Sequence, residues 1–347
     1  MRMVQRELYR EGLKYFELND LTKTILKPII AGDDKATDFE DCVKTDPTIS
    51  RQIILDANLQ IKNGSVQSIS HAVVLIGKNR VRDFIFSNCI LAFMINDQDI
   101  IFQKISKEKK FLRYAEETEN FSRKLGSDYS GGAWAVGFLF DFLDNLLAHR
   151  DLKKVFDENF KECWAHSIKT AAMAWSFANI SKLPNTLCRQ AFLAGLTHDI
   201  GRILMWLVFP QESIKILEDF ARFKQGAQQG LQWETQLELE IERKYLNIGH
   251  NEIGSMLLSA TDFMSEVEEI VAFHHDIGLL KARSSKMLQV AQCVNLADDL
   301  VEGMNSKRRI GEEEISKSLD KLISSLNITA PAVLGVIESL KTKQVLL

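Results

Sequence analysis

Apolar residues recur at three- and four-residue steps along nearly the whole chain, and no stretch sustains the period-two alternation of a half-buried strand. Only five prolines interrupt 347 residues, so the pattern predicts an all-α protein. Polar-faced or short helices are expected over residues 1–18, 21–30 and 39–44. Thr45-Asp46-Pro47 then offers an N-cap followed by proline at the first helical position, with Ile49, Ile53, Ile54 and Ala57 on one face. Ser70 is expected to cap a short helix that runs through Ile76 and is closed by Gly77; residues 81–95 are expected to form the next.

Residues 97–132 are highly charged and give way to AWAVGFLFDFLDNLLAHRD. The apolar run from Ala133 to Leu147 is broken by Asp141 and Asp144 and is shorter than the ~20 residues a membrane span needs, so no membrane partner is expected. Laid over Ala191 to Met205, this run pairs Ala133 with Ala191, Gly137 with Gly195, Asp141 with Asp199 and Leu146 with Leu204. Phe140 then stands where the later stretch has His198, and with a shorter connector Tyr114 falls at the place of His166. Two readings stay open: a decayed repeat of the later helix pair, or a coincidence between two apolar helices. In either case the earlier stretch cannot hold a metal alone.

Charge narrows the partners. A net charge of −4 with balanced acidic and basic counts gives no field for nucleic acid or an anionic lipid surface. The five cysteines are widely spaced and never form CxxC, which reads as reduced thiols in a cytoplasm. The start, MRMVQRELYREG, has no apolar core of the kind a secretory signal carries.

Candidate chemistry concentrates between Glu162 and Asp298. Glu162 and His166 are four apart and share a helix face. His198-Asp199 lies in the apolar stretch AFLAGLTHDIGRILMWL, where a buried ionisable pair is costly unless a metal or hydrogen bonds satisfy it. His250 opens GHNEIGSMLL, His274-His275 closes EVEEIVAFHHDIG, and Asp298 stands beside Asp299 in QVAQCVNLADDLVEG. Five of the seven histidines belong to this set, whereas His71 is read as structural. Imidazole and carboxylate donors without thiolate suit a divalent transition metal, Fe or Mn first, with Zn, Ni or Mg also compatible. Such a metal polarises phosphates and lowers the pKa of water. Neighbours on a helix diverge by about 100°, so His198 and Asp199 can share one metal only at a helix end or distortion, or else straddle two.

Two stretches carry a family resemblance. DPTISRQIILDAN followed by SISHAVVLIGKNRVRDFIF resembles the N-terminal half of HDOD proteins, the HD-related output domains of bacterial signalling. The later residues are similar to the HD superfamily pattern H...HD...D, and more specifically to the HD-GYP branch, which hydrolyses cyclic dinucleotides. That resemblance implies a multi-helix HD-domain bundle with metal ligands at Glu162, His166, His198, Asp199, His250, His274, His275 and Asp298, binding two or three ions. It makes Asp199 and Arg202 the catalytic candidates, Arg202 serving as a bidentate phosphate clamp. Three features depart from HD-GYP: HHDIG lacks the GYP signature, Arg202 replaces the usual Lys, and charged sequence from Gln211 to Lys244 lengthens the interval before His250.

The expected organisation is an N-terminal HDOD half over 1–107, an inserted helical segment over 108–154, an HD-type core over 155–303 and a helical tail over 304–347. The expected function is a cytoplasmic bacterial signalling protein that binds metal and answers to a nucleotide or protein partner, as a monomer or homodimer. The alternative is an active metal-dependent phosphodiesterase or phosphohydrolase, with cyclic dinucleotides among its candidate substrates.

Overall fold

The computed structural model describes residues 47–59, 61, 65–66, 68–77, 81, 113–125, 130–224, 233–261, 265–282, 285–305 and 310–342, and the regular elements within them are all helical. The helices expected over 1–18, 21–30 and 39–44, and that over 81–95 beyond Val81, lie outside the described residues. Helix α1 (Pro47–Leu59) begins at the predicted proline. In α2 (Ile69–Ile76) the cap is Ser68, two residues before the expected Ser70: its Oγ accepts from the His71 N–H at 3.2 Å. Gly77 closes α2 at φ 80°, a backbone region that penalises a Cβ.

Next come α3 (Arg113–Lys124), α4 (Ser130–His149), α5 (Lys153–Ile180), α6 (Asn185–Thr197), α7 (Ile200–Val208) and α8 (Pro210–Lys224). They are followed by α9 (Trp233–Leu246), α10 (His250–Thr261), α11 (Ser265–Phe273), a 3-10 turn at Ile277–Ala282, α12 (Ser285–Asn305), α13 (Glu312–Ser325) and α14 (Ala330–Thr342). The axis of the bundle is α5, 28 residues long, which packs against α4, α6, α12 and α14. Its middle is buried nearly all round, through Trp164, His166, Ala171, Met173 and Phe177, as a central helix requires. Gly195 lets α6 lie close: a Cβ there would stand 2.8 Å from Ala171 Cα. The tail helices dock on this bundle, α14 against α5 and α13 against α12.

Residues Asn185–Val208 are long and apolar enough to match a membrane span, but 89% of that window is buried inside the protein. The stretch is core, and it breaks at His198-Asp199 between α6 and α7.

The two places aligned as a possible repeat differ in what their carboxylates do. Asp141 accepts from the backbone N–H of Tyr114 at 3.0 Å and of Ala115 at 2.9 Å, closing the N-terminus of α3. Burial pushes the Asp141 carboxyl up to about 6 against these donors. Phe140 is fully buried and meets Trp164 edge-on, with centroids 4.8 Å apart. Asp141→Ala orphans both N–H groups, so a loss of about 1–2 kcal/mol is expected, read as a lower urea midpoint at unchanged m. A midpoint equal to wild type would show that this cap contributes nothing.

Candidate metal centre

Five segments converge on one buried spot. Helix α5 delivers His166, and the break between α6 and α7 delivers His198 and Asp199. The first residue of α10 is His250, the turn after α11 holds His274 and His275, and α12 carries Asp298. Both adjacent pairs sit where a helix ends, so the 100° divergence of helical neighbours does not separate them. His250 starts its helix as the first helical residue, with Glu252 reaching back to the Gly249 N–H at 3.1 Å in a capping-box contact.

Three overlapping groups of donor atoms, each within 4.8 Å, form here: His166, His198 and Asp199; His198, His274 and Asp298; and Asp199, His250, His274 and His275. Individual separations are 3.1 Å for His166 Nε2 to His198 Nε2, 2.9 Å for His166 Nε2 to Asp298 Oδ1, and 3.0 Å for His250 Nε2 to His275 Nε2. Asp199 faces both ways, with Oδ2 3.4 Å from His198 Nε2 and Oδ1 3.2 Å from His250 Nε2. Metal–ligand bonds of about 2.0–2.2 Å place neighbouring donors roughly 3.0–3.5 Å apart, which is the spacing found.

Tautomers point the same way. His198 Nδ1 lies 2.8 Å from the Gly195 carbonyl and His274 Nδ1 lies 2.7 Å from that of Val271. A carbonyl only accepts, so each ring donates from Nδ1, and in the neutral ring Nε2 keeps its lone pair toward the cluster. Asn295 Nδ2 donates to the His274 carbonyl at 2.9 Å and fixes that turn. Asp199 Oδ1, Asp298 Oδ2 and His274 Nε2 are buried without a hydrogen-bond partner. Buried polar atoms are rarely left so, and a cation satisfies all three. The residues therefore fit a metal.

Burial opposes charge on both carboxylates, but Arg202 and His198 hold Asp199, and His166 and His198 hold Asp298, well below the usual range. Burial likewise disfavours charged His198 and His250. Asp199 and Asp298 outweigh it at His198, pushing it up to about 10, and Glu242 and Asp199 raise His250 to about 9. His274 is pushed down to about 3 by burial and by charge on His198 and His250. Burial also lowers His275, with His274 and His250 adding to it. The same acidic surroundings that raise His198 and His250 favour a cation, and metal binding at these rings competes with protons.

Glu162 is not brought together with the others. It is exposed on α5 one turn before His166, and lines a cleft of about 570 Å³ that also reaches His166, Asp199 and Arg202. Arg202 is engaged by acids: Nε is 3.1 Å from Asp199 Oδ2 and Nη2 is 2.8 Å from Glu238 Oε2. Sequence reasoning missed Glu238 and Glu242, both buried on α9. They lie among Leu239, Ile241 and Leu246 on the buried side of that helix, which the charged sequence around them does not signal.

Residues 140–277 match the HDOD domain family. The match begins inside the expected 108–154 segment and ends before Asp298. A search of curated proteins finds no match. Among solved structures, an HDOD domain protein of unknown function from Geobacter sulfurreducens is 15% identical, with 99% of this chain and 96% of that one covered at a TM-score of 0.41. A candidate phosphohydrolase from Shewanella amazonensis is 14% identical, with 98% and 96% covered at 0.41. The MmoQ response regulator from Methylococcus capsulatus is 16% identical, with 91% and 94% covered at 0.36. Within this all-helical fold, residues 140–277 are the part of the chain that is similar to the HDOD domain family.

Proposed function

We propose that this protein is a metal-loaded HDOD regulator: a cytoplasmic bacterial signalling protein whose HD-type centre binds two divalent transition-metal ions, Fe or Mn, and which answers to a nucleotide or protein partner. One observation carries the reading, the convergence of buried donor atoms from five segments with Nε2 lone pairs and orphaned carboxylate oxygens facing one another. His166, His198, Asp199 and Asp298 would hold one ion, and Asp199, His250, His274 and His275 the other. Anaerobic purification followed by metal analysis tests it. About two ions per chain are expected, and a chain that holds no transition metal after incubation with Fe(II) or Mn(II) refutes it.

A second reading, a metal-dependent phosphohydrolase acting on cyclic dinucleotides or other phosphoesters, is favoured by the cleft that opens onto His166 and Asp199. Bound metals would polarise a phosphoryl oxygen and lower the pKa of water. Arg202, held by Asp199 and Glu238 and 23% exposed, would present its remaining N–H groups to a phosphate in that cleft. Turnover of cyclic dinucleotides, cyclic mononucleotides or nucleoside phosphates by the metal-loaded protein decides it; none across the panel removes it.

A further inference from the structure

In the charged interval between Asp199 and His250, the described residues include the helices α8 and α9. The two helices are tied to each other by Asp219, which accepts from Lys244 Nζ and from the Tyr245 hydroxyl, each at 2.8 Å. On the side facing the bundle, α9 presents two carboxylates one helical turn apart, Glu238 and Glu242, 7% and 2% exposed. Glu238 meets Arg202, as described above. Glu242 grips His250 at two points: Oε2 accepts the His250 backbone N–H at 2.8 Å, and both carboxylate oxygens lie 2.9 Å from Nδ1.

A backbone N–H needs one acceptor, and many neutral groups supply it. A carboxyl group that is only 2% exposed is a costly choice for that purpose alone. What a carboxylate adds is its effect on the ring. By accepting a hydrogen bond from Nδ1–H it fixes the tautomer whose Nε2 lone pair can bind a metal, and a carboxylate partner makes that nitrogen a stronger ligand. His198 and His274 receive only carbonyl partners at Nδ1. The His250 side of the centre is therefore the one the hairpin strengthens.

Resting on the metal-binding reading above, we propose that Glu242 is a positioning residue of the metal centre, and that α8 and α9 form one of its walls. Through His250 it sets the affinity of the subsite made by Asp199, His250 and His275, apart from the subsite at His166 and His198. A structural cap would act on folding alone; a positioning residue acts on one metal-binding step.

The test is a competitive titration of the full chain with Mn(II) against a chelating indicator, with thermal unfolding of the metal-free protein alongside. Wild type is expected to take up metal in two steps. Glu242→Ala should weaken one step by about 10–100-fold and leave the other within about threefold. Glu242→Gln keeps an acceptor and the volume without the charge, and should fall between the two. If the alanine variant does not fold, the glutamine variant carries the test, a weakened single step supporting the proposal and unchanged steps overturning it. Two unchanged steps in folded Glu242→Ala overturn it as well. Equal weakening of both steps with a lowered melting temperature makes Glu242 a structural cap, which also overturns it. Wild type that binds no Mn(II) refutes the metal reading itself, before any variant is compared.

Discussion

His198→Ala is expected to abolish metal binding at the subsite of His166 and His198 and to remove the stabilisation that metal there gives the folded chain. His198 belongs to two of the three donor groups, and its Nε2 lies 3.1 Å from His166 Nε2, 3.4 Å from Asp199 Oδ2 and 3.5 Å from Asp298 Oδ1. A ligand that binds only the native state stabilises it by about 2.7 kcal/mol at one hundred times its dissociation constant. Wild type should therefore melt higher with metal than with chelator, while His198→Ala melts alike in both with respect to this subsite. Metal content by elemental analysis should fall by about one ion per chain. The affinity of wild type should weaken as pH falls, because His198 and His250, raised to about 10 and about 9, bind protons where metal must bind. Equal metal content and an equal metal-dependent melting shift in the variant would sink this assignment.

What could be read from the chain, and what could not, follows the range of the interactions involved. The all-helical fold was legible because apolar periodicity is local, and Pro47 and Gly77 act through their own backbone geometry. The set of candidate donors was legible because those residue types are rare along the chain, and the structure brings His166, His198, Asp199, His250, His274, His275 and Asp298 together. The geometry of His198-Asp199 was legible only as a choice between a helix break and two metals; the structure breaks the helix there and also turns the two Asp199 oxygens toward different histidines. Glu162 shows the limit of carrying a pattern across: the helical spacing places it on the face of His166, yet it stays exposed at the cleft wall. Glu238 and Glu242 show the opposite limit. Glutamates in a charged helix are ordinarily solvated, and only the packing of α9 in the fold buries these two.

Gly201 is where fold and site depend on the same atom, and Gly201→Ala is expected to damage both. A Cβ at this position would run into the backbone carbonyl oxygen of His250 and stand 2.7 Å from the backbone N of Gly254. Neither obstacle is a side chain that can rotate away, so α7 and α10 must move apart. Forced overpacking of a core costs about 1–3 kcal/mol and more where backbone has to yield, so a loss of about 3 kcal/mol is expected. The same displacement draws His250 away from Asp199 Oδ1, now 3.2 Å distant, and should weaken metal binding at the His250 subsite while sparing the His166 side. Gly254→Ala is the control across the same interface. Its Cβ would meet Val271 Cγ1 at 3.2 Å, Gly201 N at 3.3 Å and Ile200 Cγ2 at 3.4 Å, tight contacts that small shifts relieve. Gly311→Ala, with nothing within 4 Å, should be close to neutral. Urea midpoints measured in chelator therefore rank Gly201→Ala far below Gly254→Ala, with Gly311→Ala near wild type. A Gly201→Ala midpoint equal to that of Gly254→Ala would mean that the close approach of α7 and α10 does not set His250 against Asp199.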